Sequence, residues 1–369
     1  MFLKNWVMLV ALTAPILWLA HGVTVKNPKI EIWVGFKGTS EKDRDVVFLR
    51  RALKEKKVQG IILFGRNIEN PEQLKNLISF LTDSNPSIPV SIDQEGGRLM
   101  RLNQNKGFHH AGKMLAAAAY FNPGPTKELA VPTITKPTEE QALKHIGDVH
   151  GSAAQEMANL GINVIFGPVS DVNINPECPV IGKLDRSFSN DSGQVTRCCN
   201  AVLSSYEKYG LRGCLKHAPG HGSANVDSHK GVTDVTKTWT ISELQPFVEC
   251  FKAHSGTAIM VGHLINKEID PDFPASMSKK TVALMNSAMR AAGIDKKPLY
   301  IADGYEMKAV FNRYKPQEFL NYCANAGVGV VLFFCDDKYY PPHCTLQDFL
   351  KEHLGLEASH KDTVVTVPS

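Results

Sequence analysis

Eight short apolar runs constrain the fold of this chain more than any other feature. They lie at residues 29–36, 58–64, 88–93, 162–168, 211–216, 257–262, 298–303 and 328–334. A run of this length, dominated by Val, Ile and Leu, suits a strand covered on both faces, because neither side of such a sheet meets water. Helix patterns fill the intervals. Ser242 precedes Glu243, Ser278 precedes residues 279–292, and Pro316 opens 317–326, while Gly161, Gly210, Gly293 and Gly327 close helical stretches. Eight strands alternating with helices over about 330 residues predict an α/β chain folded as a single (β/α)8 TIM barrel. A doubly wound open sheet shares the alternation, but it does not predict polar clusters at the ends of so many strands. One long irregular stretch, 107–137, carries an alanine run at 116–119 and a Pro/Thr-rich section at 123–137. It reads as an insertion near the barrel mouth after the third strand.

The first 22 residues fall outside this pattern. Lys4 precedes an apolar run at 6–20, and the small residues Ala20 and Gly22 allow cleavage after Gly22. That is a Sec-type signal peptide over 1–22, the apolar run being short for a membrane span. It leaves 23–369 as one folded domain, expected to be exported to the periplasm or secreted. No cysteine precedes Cys178, which excludes a lipoprotein lipobox. Removing residues 1–22 takes away only Lys4 among the charged residues, so the formal balance falls from +4 to +3. That balance is too mild, and the Lys/Arg too scattered, for nucleic-acid binding. The eight cysteines include no C-x-x-C pair; some could pair after export, but Cys214, Cys250, Cys323 and Cys335 sit among apolar residues as small core side chains.

Polar residues gather where the strand candidates end. Asp93-Gln94-Glu95-Gly96-Gly97-Arg98 and Arg101 follow the third, and Asp171, Asn173, Asn175 and then Asp185-Arg186-Ser187-Phe188 follow the fourth. Lys216-His217 opens a loop after the fifth, His263 ends the sixth, and Asp303-Gly304-Tyr305-Glu306-Met307 follows the seventh. In the fifth loop Pro219, Gly220 and Gly222 preclude a regular helix, so the segment presents side chains. Asp227 stands two residues before His229, where a carboxylate can orient an imidazole for proton transfer near neutral pH. Carboxylates, cations and amides on one rim suit a poly-hydroxylated ligand. No glycine-rich phosphate fingerprint is present. Residue by residue, other readings remain: Asp303 as a helix cap, Asp227 and His229 as a surface turn, or His217, His221 and His229 as zinc ligands. The histidine spacing matches no common zinc pattern, and no cysteine joins it. No metal or organic cofactor is expected.

Several motifs, in order, resemble family 3 glycoside hydrolases, and within them the single-domain β-N-acetylhexosaminidase branch. They are Ile92-Asp93-Gln94-Glu95-Gly96-Gly97-Arg98, Gly167-Pro168-Val169-x-Asp171-Val172-Asn173, Asp185-Arg186-Ser187-Phe188, Lys216-His217-x-Pro219-Gly220-His221-Gly222 with Asp227-Ser228-His229, Asp270-Pro271-Asp272-x-Pro274-Ala275 and Ile301-Ala302-Asp303. The resemblance implies an exo-acting retaining enzyme that removes terminal β-linked N-acetylglucosamine from peptidoglycan fragments or chitooligosaccharides. It makes Asp303 the nucleophile, His229 the acid/base and Asp227 its orienting partner. Asp93, Arg101, Arg186, Lys216 and His217 become sugar-binding, with Met307 a wall beside the nucleophile. His221 is expected to hold only the loop, and Glu95 and Arg98 to brace the strand-3 loop. Three departures stand out. Ala218 replaces the usual aromatic residue, Gly304-Tyr305 replaces Asp-Leu or Ala-Leu with a tyrosine expected to reshape the aglycone side, and Val328-Gly329 replaces a polar pair. A β-glucosidase, a phosphorylase and a non-catalytic wall-binding protein are the rival readings.

Overall fold

Period-two alternation along each strand sorts its side chains between the inside of a barrel and a shell of helices. The computed structural model describes residues 30–83, 85–121, 137–227, 231–336 and 345–355. Its barrel strands are β1 (Glu31–Val34), β2 (Gly60–Leu63), β3 (Val90–Ile92), β4 (Val164–Ile165), β5 (Arg212–Ala218), β6 (Ala258–Val261), β7 (Leu299–Ala302) and β8 (Val330–Phe333). Each pairs in parallel with the next, and β1 closes the ring on β8 with Glu31 opposite Val330 and Val34 opposite Phe333. A closed ring excludes the open doubly wound sheet. Every strand falls inside its expected run except β5, which continues two residues further, to Ala218.

A main helix follows each strand: α1 (Arg44–Lys54), α2 (Pro71–Thr82), α3 (Glu139–Asn159), α4 (Ser192–Lys208), α5 (Gln245–Ala253), α6 (Lys279–Ala291), α7 (Pro316–Ala326), which a single helical turn at Lys308–Phe311 precedes, and α8 (Leu346–Leu354). Ser278 caps α6, its side chain accepting the Thr281 N–H at 3.0 Å. Ser242 does not cap α5. It lies within a 3₁₀ turn, Ile241–Leu244, where Glu243 Oε1 accepts the Thr240 N–H at 3.1 Å and α5 starts only at Gln245.

Trp33, Ile62, Phe166, Cys214, Ile301 and Leu332 fill the barrel, whereas their strand neighbours Val34, Ile61, Leu215, Ala302 and Val331 join the larger core beneath the helices. Cys214, Cys250, Cys323 and Cys335 are buried, as expected of small core side chains. Two residues beyond each inward position lies the next one, at the C-terminal mouth. Phe64 follows Ile62, Lys216 follows Cys214, Asp303 follows Ile301 and Phe334 follows Leu332.

The insertion starts earlier than residue 107. Gln94–Gly96 pairs with Leu99–Met100, and 3₁₀ turns at Gln104–Lys106, Ala111–Lys113 and Ala117–Tyr120 follow. Glu156 of α3 anchors it, accepting the N–H groups of His109, His110 and Ala111 at 2.9, 3.0 and 2.7 Å. Residues 122–136 and the expected signal segment 1–22 lie outside the described residues. Among those described, no helix is long and apolar enough to cross a membrane.

Candidate active site

The charged rim is one connected network. Lys216 Nζ stands 2.8 Å from Asp93 Oδ1 and 2.6 Å from Glu95 Oε1. Arg186 makes a two-pronged contact with Glu95, Nε to Oε2 and Nη2 to Oε1, both at 2.8 Å. Such a fork holds a guanidinium in one plane. Arg101 Nη2 reaches Asp93 Oδ2 at 3.2 Å, while its buried Nε completes no hydrogen bond among the described residues. Burial works against charge on Glu95, but Arg186 and Lys216 outweigh it and hold the carboxyl well below its ordinary 4.5. The same contest, won by Lys216 and Arg101, lowers Asp93. Burial of Lys216 is in turn overcome by Asp93 and Glu95, which keep the ammonium charged.

A buried carboxylate on the β4 loop organises the other half. Asp171 is fully buried. Its oxygens accept the His217 N–H at 3.0 and 3.1 Å and the His221 N–H at 2.7 Å, and Oδ2 lies 2.7 Å from His217 Nδ1. A carboxylate takes the hydrogen from Nδ1, leaving Nε2 to face the Arg186 Nη2 donor at 3.4 Å. Strict strand alternation would send Lys216 and His217 to opposite faces. The β5–β6 register breaks between Leu215 and Ala218, and both side chains bond at the mouth. Burial, then the neighbouring His217, takes His221 down to about 4.

Asp303 ends β7, where its N–H donates to Val261 O at 3.1 Å. Its Oδ1 accepts the Gly304 N–H at 2.8 Å, and the residue is 9% exposed. The thiol of Cys214, inside the barrel below, registers how the rim converges: burial pushes it up to about 12, Lys216 opposes, and Asp303 and Asp93 add to the rise. His263 supports the β7 turn from behind, with Nε2 2.9 Å from Gly304 O and Nδ1 2.8 Å from Ser276 Oγ. Glu306, also in that turn, accepts the Phe334 and Cys335 N–H groups at 2.9 Å each.

Tyr305 does not reshape the mouth. It is buried among Phe311, Phe319 and Phe333, and its hydroxyl donates to Tyr314 O at 2.7 Å. The aromatic side chain that reaches the rim here is Phe334, whose ring lies edge-on to Phe64 at 5.3 Å. A Cβ on Gly304 would stand 2.1 Å from the Phe334 ring, so glycine is needed beside Asp303 to seat it. Gly304→Ala is expected to cost about 1–3 kcal/mol of stability, as overpacking does, and to slow turnover. Adding Phe334→Leu should restore most of both, which thermal melts and a double-mutant cycle would read as non-additivity.

Of the sequence-predicted residues, Asp93, Arg101, Arg186, Lys216 and His217 share one bonded network, and Asp303 stands on the same mouth. Met307 is buried, its N–H donating to Gly304 O at 3.2 Å. Asp227 is half-buried at the last described position before 228–230, and His229 lies outside the described residues. Glu95 braces more than its own loop, because it pairs with two of the predicted sugar-binding cations. Asp171 as the organiser of His217, and Phe64 and Phe334 as rim residues, were missed. The alternation rule, carried one step past Ile62 and Leu332, would have found the two aromatics.

A family model for the "Glycosyl hydrolase family 3 N terminal domain" matches residues 39–354. Beta-hexosaminidase A of Pseudoalteromonas piscicida is 30% identical over 296 residues, covering 74% of this chain and 45% of that protein. The beta-hexosaminidase of Haemophilus influenzae is 32% identical over 250 residues, 67% of this chain and 64% of that one. The chain thus spans less than two thirds of either relative. Among solved structures, NagZ from Neisseria gonorrhoeae, in complex with N-trifluoroacetyl-D-glucosamine, aligns with a TM-score of 0.66 and 26% identity over 85% of this chain and 83% of that one. A family 3 beta-N-acetylglucosaminidase from Paenibacillus sp. aligns at 0.67 and 27%, over 82% and 53%. The family match takes in seven of the eight barrel strands and the polar mouth from Asp93 to Asp303: the chain belongs to glycoside hydrolase family 3.

Proposed function

We propose that this chain is an exo-acting, retaining β-N-acetylhexosaminidase that releases terminal β-linked N-acetylglucosamine. The observation that carries the reading is the pairing, on one barrel mouth, of a carboxylate with one oxygen fixed, Asp303, and a pre-paired cluster of cations and carboxylates that can grip sugar hydroxyls. Arg101 Nε supplies a buried donor still to be satisfied. In the first step the Asp303 carboxylate attacks the anomeric carbon, the bond to the leaving oxygen breaks, and His229, oriented by Asp227, gives that oxygen its proton. In the second, His229 takes a proton from water, whose oxygen attacks the anomeric carbon and frees Asp303. The scheme requires no metal or organic cofactor. Relatives named beta-hexosaminidase support the acyl-amino sugar, and the apolar run at 6–20 supports export toward peptidoglycan fragments or chitooligosaccharides as substrates.

Hydrolysis of a chromogenic N-acetyl-β-glucosaminide beside the matching β-glucoside tests this, with and without inorganic phosphate. The expected result is a clear preference for the N-acetyl substrate, no dependence on phosphate, and a first-formed sugar of β configuration. Faster release from the β-glucoside would overturn the substrate, and a sugar phosphate product would overturn hydrolysis.

A further inference from the structure

Strand alternation, carried one step past Trp33, Ile62 and Leu332, puts Gly35, Phe64 and Phe334 side by side at the mouth, on the adjacent strands β1, β2 and β8. The proton and bond transfers described above use neither ring. A Cβ on Gly35 would stand 2.3 Å from Phe334 O and 2.7 Å from Phe64 Cε2. Glycine on β1 therefore lets the aromatic residues of its two neighbours meet across it, and their rings do so at 5.3 Å. The pair is held from behind. Glu306 accepts the Phe334 N–H at 2.9 Å, and Arg66 donates through Nη2 to Phe334 O and through Nε to Phe36 O, the latter at 2.9 Å. The Arg66 guanidinium lies 4.5 Å from the centre of the Phe64 ring and that of Arg101 lies 5.7 Å from it, both within cation–π reach. Phe64 and Phe334 are both half-buried, and through Arg101 the wall they form joins the hydroxyl clamp at Asp93.

The mouth is thereby divided. From β3 to β5, Asp93, Arg101, Arg186, Lys216 and His217 make a polar arc; Asp303 ends β7; and beyond it β8, β1 and β2 present an apolar arc. A 2-acetamido pyranose is divided in the same way. From the anomeric carbon, one direction meets the acetamido group at C2 and the hydroxyls at C3 and C4. The other meets the ring oxygen and then C5 with its C6 methylene. With C1 at Asp303, one orientation gives the C2–C4 groups to the polar arc. The flipped one sets an amide and a hydroxyl against phenyl rings, where they lose water and gain no partner. We infer that Phe334, with Phe64 beside it, is a specificity-determining residue that packs the C5–C6 edge of the glycon and so selects a hexosamine over its pentose counterpart. The inference rests on the hydrolase reading for the identity of that glycon.

Calorimetric titration of the full chain with free sugars reads this contact without turnover. The wild type is expected to bind N-acetylglucosamine about tenfold more tightly than 2-acetamido-2-deoxyxylose, which lacks C6, as a methylene discriminates in an apolar pocket. Phe334→Ala should cut that ratio to about threefold or less, by weakening the hexosamine more than the pentose. The same loss of preference should appear in kcat/KM on the matching chromogenic glycosides. Equal binding of the two sugars by the wild type overturns the inference, as does a ratio that Phe334→Ala leaves unchanged. A change confined to the ratio of N-acetylglucosamine to glucose would set the acyl group against Phe334 and overturn it too. Should Phe334→Ala not fold, Phe334→Leu decides: the smaller side chain should bring the ratio to about half its wild-type value or below, and an unchanged ratio again overturns the inference. A wild type that shows the Phe334-dependent preference in binding but hydrolyses neither glycoside would count against the hydrolase reading alone.

Discussion

Asp303→Ala is expected to lose turnover by on the order of 10⁴-fold or more while remaining folded, because in the proposed scheme the covalent step has no substitute once its nucleophile is gone. The backbone supports this separation of activity from stability. The Asp303 N–H to Val261 O bond belongs to the β6–β7 pairing and survives the substitution. Removing a carboxylate that is 9% exposed also relieves desolvation, so the melting temperature should hold or rise. The space left by the carboxylate admits a small anion. Added azide should attack the anomeric carbon from the vacated face, expel the protonated leaving group and yield the α-glycosyl azide, an inverted product. Wild-type turnover by the variant would remove Asp303 from the mechanism, and a β-glycosyl azide would place the nucleophile elsewhere.

The largest loss of stability is expected from Glu95→Ala. Glu95 and Arg186 side chains are 7% and 11% exposed, and Lys216 is 3% exposed. Removing their shared counter-ion strands the buried Arg186 and leaves Lys216 with Asp93 alone, which costs about 3–5 kcal/mol where one partner of a buried pair is deleted. An exposed pair such as Lys144–Asp148, 77% and 64% exposed, sets the contrast, since its loss should cost under about 1 kcal/mol. Denaturant melts of Glu95→Ala, Lys144→Ala and the doubly substituted Glu95→Leu/Arg186→Met would show the difference, with the double variant recovering part of the loss. The acid limb follows from the same pairs. Glu95 and Asp93 are lowered in the folded state, so their stabilisation is complete above about pH 4.5 and erodes as pH falls below it. Glu95→Ala should flatten that erosion. A Glu95→Ala protein as stable as Lys144→Ala would show that the network contributes nothing to the fold.

The chain alone determined the barrel and most of its rim. Apolar runs such as 58–64 and 328–334 mark strands because burial on both faces leaves no room for polar residues, and polar residues directly after them mark the mouth because side chains there escape the core. That Asp93, Arg186, Lys216 and His217 gather on one mouth was readable from their motifs. What the motifs could not supply is who bonds to whom. Asp171 and His217 are 46 residues apart, Glu95 and Arg186 are 91, and Lys216 and Asp93 are 123, and these pairings exist only because strands next to or one removed from each other in a closed ring deliver their C-terminal ends to one place. Local rules misled at Ser242, where Thr240 and Glu243 compete for the helix start, and at Tyr305, whose size suggested the pocket although aromatic packing took it inward. Tertiary structure also decided the Gly304–Phe334 fit and the carboxyl of Glu243 under Gly220, since a close approach between distant segments leaves no periodic trace in a sequence. Periodicity encodes which face a residue turns to the core, and only the closed fold decides what waits on the other side.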